Sequence, residues 1–289
     1  MNQPDFPAGA CDTHMHIYDS RYPVAPTSLL RPPDATVDQY RQVQNNLVLQ
    51  RVVVVQPSTY GFDNSCTLDA VAHFGEEARA IVVVDDQVTD VEVEQLTRRR
   101  ARGARFHMLP GGAVPWEMMH AVAERIAPHG WHIQLQMNGR DLIDRFDELI
   151  ALPTPLVVDH VGRYMPPVDV DDERFQVLLR LLDIGRCWVK LSAPYESAPD
   201  GTHEYAGVTR LVHALIDHAP ERMVWASNWP HPGQTDPPSL DDLGRLAFAS
   251  MPDDAVRHRI LVENPSELYQ FEAIPSSAST DPQEPNVRL

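Results

Sequence analysis

The chain has 289 residues, 43% of them hydrophobic, which is enough for a sizeable buried core, and its 24 basic against 41 acidic residues give a formal net charge of −17. A surface this acidic repels phosphate backbones and anionic membranes, which sets nucleic-acid and membrane-surface roles aside. Only Lys190 among the basic residues is a lysine, so a phosphate-loop lysine, a Schiff-base lysine or a carbamylated lysine bridging two metals would have to be Lys190 or be absent.

The first residues lack the basic start and apolar stretch of a signal peptide, and no apolar run approaches the roughly 18 residues of a membrane span. Cys11, Cys66 and Cys187 are odd in number and sit in apolar neighbourhoods. That pattern suits free buried thiols in a reducing compartment, and the expectation is a cytoplasmic protein. Eight short β-rich runs then follow in order, at residues 10–17, 51–56, 80–85, 104–106, 132–137, 156–160, 187–192 and 223–226. Several, such as Val52 to Val55, are continuous apolar runs that suit parallel strands buried on both faces. Helical patterns alternate with them: Thr36 caps one running to Leu47, and others cover residues 66–74, 90–102, 116–129, 139–152, 171–184, 205–218, 239–249 and about 253–264. Eight strands alternating with helices predict a single (β/α)8 TIM barrel over residues 1–275. A doubly wound sheet would place a Gly-rich turn after its first strand, where this chain has His14-Met15-His16-Ile17-Tyr18-Asp19. The 26 prolines outnumber the 14 glycines and gather in the strand-to-helix connections, which they stiffen. Residues 276–289, polar and without apolar period, are expected to form a flexible tail.

In a barrel, functional groups collect at the C-terminal strand ends. Those ends carry His14 and His16, Gln56 and Ser58, Asp85, Arg105 and His107, Gln136 and Asn138, His160 and Arg163, Lys190 and Ser192, then Asn228 and His231. His14 and His16 lie two apart on one strand, so they leave the same face and converge on the barrel mouth. Two histidines on a buried strand face are costly without a polar purpose. His160 ends the apolar run from Leu156 and faces the same mouth.

Three segments, Asp12-Thr-His14-Met-His16, Asp159-His160-Val161-Gly162-Arg163 and Trp225-Ala-Ser-Asn228-Trp-Pro-His231-Pro, together with the Phe6 to Asp12 lead-in and the Tyr60-Gly-Phe-Asp63-Asn64 loop, resemble the amidohydrolase superfamily. The likeness spans roughly residues 6 to 272 and is narrowest to a lactone-acting branch that holds both hydrolases and isomerases. It implies His14, His16 and His160 as active-site histidines that polarise a lactone carbonyl and shuttle a proton, with the strand-eight position, here Asn228, as a fourth catalytic place.

Two departures shape the expectation. Metal-dependent relatives use a lysine or carboxylate on strand four or five, further histidines and a strand-eight aspartate; this chain has Arg105, Gln134, Gln136 and Asn228 there. No cofactor is therefore expected, although three histidines, His14, His16 and His160, remain a conceivable Zn²⁺ set. The strand-eight aspartate is also the general base of the branch's lactonase, and an amide cannot take that proton. Attack by the substrate's own hydroxyl, aided by effective molarity, is then favoured over attack by water. Arg105 and Arg163 present forks for a carboxylate, while Ser58, Tyr60, Asn138 and Tyr195 are candidate hydroxyl contacts and His231 orients the strand-eight loop. The arginine expected after strand seven is missing around Ser192 to Glu196, which weakens the case for a dicarboxylate. The partner expected is a small carboxylated lactone, isomerised without metal; hydrolysis of a related lactone, with a histidine as base, and an inactive sugar-acid-binding barrel remain alternatives. Spacing does not give the oligomeric state, and the Arg98-Arg99-Arg100 run reads as a solvated helix end.

Overall fold

In a computed structural model, which describes residues 6–198 and 205–272, eight strands form one parallel sheet. They are β1 (Cys11–Met15), β2 (Arg51–Val55), β3 (Ala78–Val82), β4 (Ala101–His107), β5 (His132–Gln136), β6 (Leu156–Val158), β7 (Cys187–Leu191) and β8 (Met223–Trp225), each hydrogen-bonded to the next. The helices are α1 (Val37–Leu47), α2 (Ser65–Phe74), α3 (Asp90–Arg98), α4 (Met119–Ile126), α5 (Leu142–Ile150), α6 (Glu173–Asp183), α7 (Ala206–His218), α8 (Leu240–Ser250), α9 (Asp254–His258) and α10 (Asn264–Tyr269). This is the (β/α)8 barrel that the alternating pattern predicts. The predicted tail, residues 276–289, lies outside the described residues. No helix among the described residues is long and apolar enough to cross a membrane. Cys11, Cys66 and Cys187 are buried and unpaired.

Local chemistry explains most element boundaries. Thr36 caps α1 and forms a capping box with Gln39, and Thr89 does the same for α3 with Glu92. The predicted helix over 90–102 overruns: α3 stops at Arg98, Arg100 turns the chain at φ 68°, and β4 begins at Ala101. The start of β4, Ala-Arg-Gly, carries no β signal, because its demand is steric. A Cβ on Gly103 would lie 2.7 Å from His132 Nε2 on β5. Of the arginine run, Arg98 is on the last turn of α3 and is exposed, as expected of a solvated helix end.

The ends of β1 and β8 close the barrel through backbone hydrogen bonds, Asn228 N–H to His14 O at 2.9 Å and His16 N–H to Trp229 O at 2.8 Å, and through side chains. Asp12 accepts from the backbone N–H of Ser227 at 2.9 Å, from the Ser227 hydroxyl, and from Tyr40 on α1 at 2.8 Å, while Thr13 Oγ1 donates to Trp225 O at 2.8 Å. Burial pushes the Asp12 carboxyl up, and these hydrogen bonds pull it back toward the charged form. Inside the barrel, Cys11, Val53, Val55, Ile81, Val157, Trp188 and Val224 pack with Leu268, Tyr269 and Phe271, so the C-terminal segment joins the interior packing. Arg79 holds that segment by donating to Tyr269 O at 3.1 Å and Gln270 O at 2.8 Å, with its guanidinium 4.2 Å from the Phe271 ring centre.

Candidate active site

The strand ends and their loops enclose an open cleft of about 400 Å³. Seven residues given a role from sequence meet on its walls: His16 just after β1, Ser58 after β2, Arg105 on β4, His160 and Arg163 after β6, Tyr195 after β7 and Asn228 after β8. Two more stand just behind them. His14 is wholly buried and its Nε2 lies 3.2 Å from Nε2 of His16, while His231 Nδ1 lies 2.9 Å from the Tyr195 hydroxyl.

Tyr60 and Asn138 are not brought to the cleft. The Tyr60 hydroxyl accepts from the Asp19 backbone N–H at 2.8 Å and donates to Asp19 O at 3.2 Å, tying two loops together. Asn138 lies past the end of β5, where it accepts from Arg140 N and Met165 N and donates to Met165 O at 2.6 Å. Both follow strand ends in sequence, and offset alone cannot say which way a loop residue turns.

The cleft also contains groups to which sequence reasoning gave no role. His107 shares the β4 face of Arg105, two residues on, and its Nδ1 lies 3.0 Å from Gln136 Oε1. That oxygen also accepts from Arg105 Nη2 at 2.7 Å, which fixes the amide orientation and makes His107 Nδ1 the donor. In the neutral ring Nε2 is therefore a bare acceptor; burial and the Arg105 charge push its pKa down to about 3. Glu196 lies 2.7 Å from Arg163 Nε and pairs with it at the cleft wall. Period-2 alternation from Arg105 was the available signal for His107, whereas Glu196 required the tertiary pairing.

Arg105 is the electrostatic centre. It is 5% exposed, and its guanidinium donates to Gln56 O at 2.7 Å and to the Gln136 amide, leaving Nε without a partner. Burial pushes its pKa down, opposed by the Asp159 and Glu196 charges. A buried cation whose hydrogen-bond partners are all neutral favours an anionic ligand. Asn228 donates from Nδ2 to the Tyr195 hydroxyl at 2.8 Å, and its Oδ1 is buried with no partner. The cleft thus offers a buried cation whose partners are neutral beside acceptors that lack donors.

Lys190 stands beneath the cleft. It is fully buried, donates to Thr13 O at 2.9 Å and Gln134 Oε1 at 2.7 Å, and lies 3.5 Å from Asp159 Oδ1. Burial pushes its pKa down to about 8, with Asp159 opposing. His14 and His160 are pushed well below the ordinary histidine range and His16 to about 3, in each case chiefly by burial, so all three rings are neutral at pH 7.

The amidohydrolase family profile matches residues 11–271. The chain is 37% identical over 276 residues to D-galactarolactone isomerase of Agrobacterium fabrum, covering 94% of each chain. It is 34% identical to 4-sulfomuconolactone hydrolase of Rhizobium radiobacter, covering 91% of this chain and 90% of that one. It is 32% identical to 2-pyrone-4,6-dicarboxylate hydrolase of Comamonas testosteroni, covering 94% of each. An apo crystal structure from Agrobacterium tumefaciens superposes with a TM-score of 0.89 at 37% identity, over 94% of this chain and 99% of that one. With its barrel, its strand-end histidines and a profile match over nearly the whole length, the chain belongs to the amidohydrolase family of enzymes.

Proposed function

We propose that the enzyme isomerises a carboxylated sugar lactone of the 1,5- to 1,4-lactone type, by transfer of the acyl group from one oxygen to another within the same molecule and without metal. The observation that carries the reading is Asn228. It occupies the cleft wall at the end of β8 with Oδ1 buried and unpartnered. An amide there accepts a hydrogen bond from a substrate hydroxyl but takes no proton from water, so the bound molecule's own hydroxyl is the better nucleophile. Named relatives include one lactone isomerase and two lactone hydrolases, so both outcomes occur among chains this similar.

The substrate class follows from the unmatched groups. Arg105 seeks one carboxylate, and Glu196 on Arg163 leaves that second arginine already paired. Asn228 Oδ1 and His107 Nε2 seek hydroxyl donors. A polyhydroxylated lactone with one free carboxylate supplies both, whereas an unsaturated lactone with few hydroxyls would leave the buried Asn228 Oδ1 unpaired, at about 1–3 kcal/mol. His160, with Nδ1 2.8 Å from the Ser192 hydroxyl, is placed to polarise the carbonyl.

What supports a reaction without metal is the donor set. His14, Asp159 and His160 each offer an atom within 4.8 Å of the others. However, the Lys190 ammonium faces both Asp159 and His14 Nδ1, and Gln134, Gln136 and Asn228 contribute neutral amides where a divalent ion would call for imidazole or carboxylate. These residues do not fit such an ion.

A second reading, hydrolysis of a related carboxylated lactone, rests on a neutral histidine of the cleft serving as the base for water. Galactaro-1,5-lactone followed by proton NMR separates the two. The 1,4-lactone appearing first, at a rate unchanged by prior chelator treatment, is the expected result. Net open-chain acid formed faster than the spontaneous rate would overturn isomerisation, and no reaction of any lactone would favour a barrel that only binds sugar acids.

A further inference from the structure

We infer that Glu196 is the specificity-determining residue of the cleft: by neutralising Arg163 it limits the ligand to one carboxylate, held at Arg105, and makes Arg163 a donor for an uncharged oxygen such as a hydroxyl. The inference deepens the reading above by fixing the charge of the substrate, and it rests on that reading only in taking this cleft as the substrate's place.

The pair is built into the fold. Arg163 follows β6 at φ 49°, and Glu196 lies in the short turn Pro194–Ser197, which the chain enters after β7 through Ala193 at φ 45°. The next residues along the two loops are joined as well, since the Tyr164 N–H donates to Ser197 Oγ at 3.0 Å. Tyr195, just before Glu196, is held from the other side by Asn228 Nδ2 at 2.8 Å and lies 2.9 Å from His231 Nδ1. The Arg163 and Glu196 side chains are only 24% and 17% exposed, so the 2.7 Å contact between Nε and Oε2 is partly shielded from water. Both residues line the cleft.

What this contact leaves over decides the ligand. Glu196 engages Arg163 through Nε, and Nη1 and Nη2 have no hydrogen-bond partner among the described residues. A ligand arriving there meets N–H donors on a pair whose charges cancel. A hydroxyl or carbonyl oxygen accepts from them without a charge of its own to place. A carboxylate makes the same hydrogen bonds but shares the guanidinium with the Glu196 carboxylate, so repulsion from that anion offsets attraction to the cation. Arg105 differs, because the groups bonded to it are neutral. The field of Glu196 reaches Arg105 too, where it opposes the downward push of burial on the pKa. A second ligand carboxylate between the two arginines would therefore stand in that same repulsive field. The fork that the sequence offers to a carboxylate at Arg163 already holds one, the protein's own.

Galactonate and galactarate are matched probes, alike except that the second carries a carboxylate where the first has a primary alcohol. Isothermal titration calorimetry of wild type and Glu196→Gln with each acid tests the inference without turnover. Glutamine keeps an acceptor for Arg163 Nε and removes the charge. Wild type should bind galactonate at least as tightly as galactarate. In Glu196→Gln the affinity for galactarate should rise about tenfold or more, while that for galactonate changes by less than roughly threefold, which also reports an intact cleft. Adding Arg163→Gln to Glu196→Gln should abolish the gain. An unchanged galactarate affinity, an equal change for both acids, a gain that survives the loss of Arg163, or no binding of either acid to either protein would overturn the inference. The isomerase reading stands or falls on the NMR of the lactone alone, so either can fail without the other.

Discussion

Asn228 has φ 57°, in the left-handed region that asparagine and aspartate enter more readily than other non-glycine residues. The exchange Asn228→Asp therefore preserves the backbone and changes only the chemistry, placing a carboxylate where an attacking water would lie. Open-chain acid should then form from the lactone at least about tenfold faster than with wild type, given the usual worth of a positioned general base. A pH-stat reading with no acid above background would show that water is not activated at the β8 position. His160, Val161 and Arg163, at φ 55°, 56° and 49°, share this conformation across the cleft. Two loops thus hold side chains in backbone states costing of order 1–3 kcal/mol each, which the surrounding packing sustains to aim His160 and Arg163 inward.

At the scale of elements, the sequence was informative wherever one strand or one helix end decides the outcome. The period of a strand places His14 and His16 on one face, and Thr36 sets the start of α1 through its own side chain. Legibility ended where a position depends on another strand. β4 begins three residues before its predicted start because the backbone packs closely on His132 of β5, a steric demand with no local pattern. His107 was visible as a strand-end residue, but its bare Nε2 follows from Gln136 on β5 and from Arg105 fixing that amide. Lys190 could be placed on β7 by counting, yet its partners Thr13, His14, Gln134 and Asp159 come from β1, β5 and the end of β6, which only barrel closure brings together. Tyr60 and Asn138 show the converse, since both look like site residues by offset and both serve as loop ties.

For the whole molecule, buried neutral histidines tie stability to pH. Burial pushes His14 and His160 well below 6.5, His16, His107 and His132 to about 3, and His231 to about 4. The unfolded chain binds protons at these rings as pH falls through about 6.5, and the fold does not until far lower. Their contribution is therefore fully present above about pH 6.5 and is lost progressively as pH falls toward about 3, by up to about 1.4 kcal/mol per pH unit for each ring. Asp12, whose carboxyl burial pushes up, opposes this as a single group. The urea midpoint should drop steadily from about pH 7 to about pH 5, and a flat profile would contradict burial of neutral rings. On the proposed reading, the net charge of −17 slows the approach of a carboxylated lactone, and Arg105 supplies the local attraction once it arrives.

The central claim is that the acyl group never leaves the substrate molecule. Isomerisation of galactaro-1,5-lactone in oxygen-18 water, followed by mass spectrometry of the products, tests it most directly. Intramolecular transfer yields a 1,4-lactone carrying no label; label in that lactone, or a labelled open-chain acid preceding it, would contradict the account.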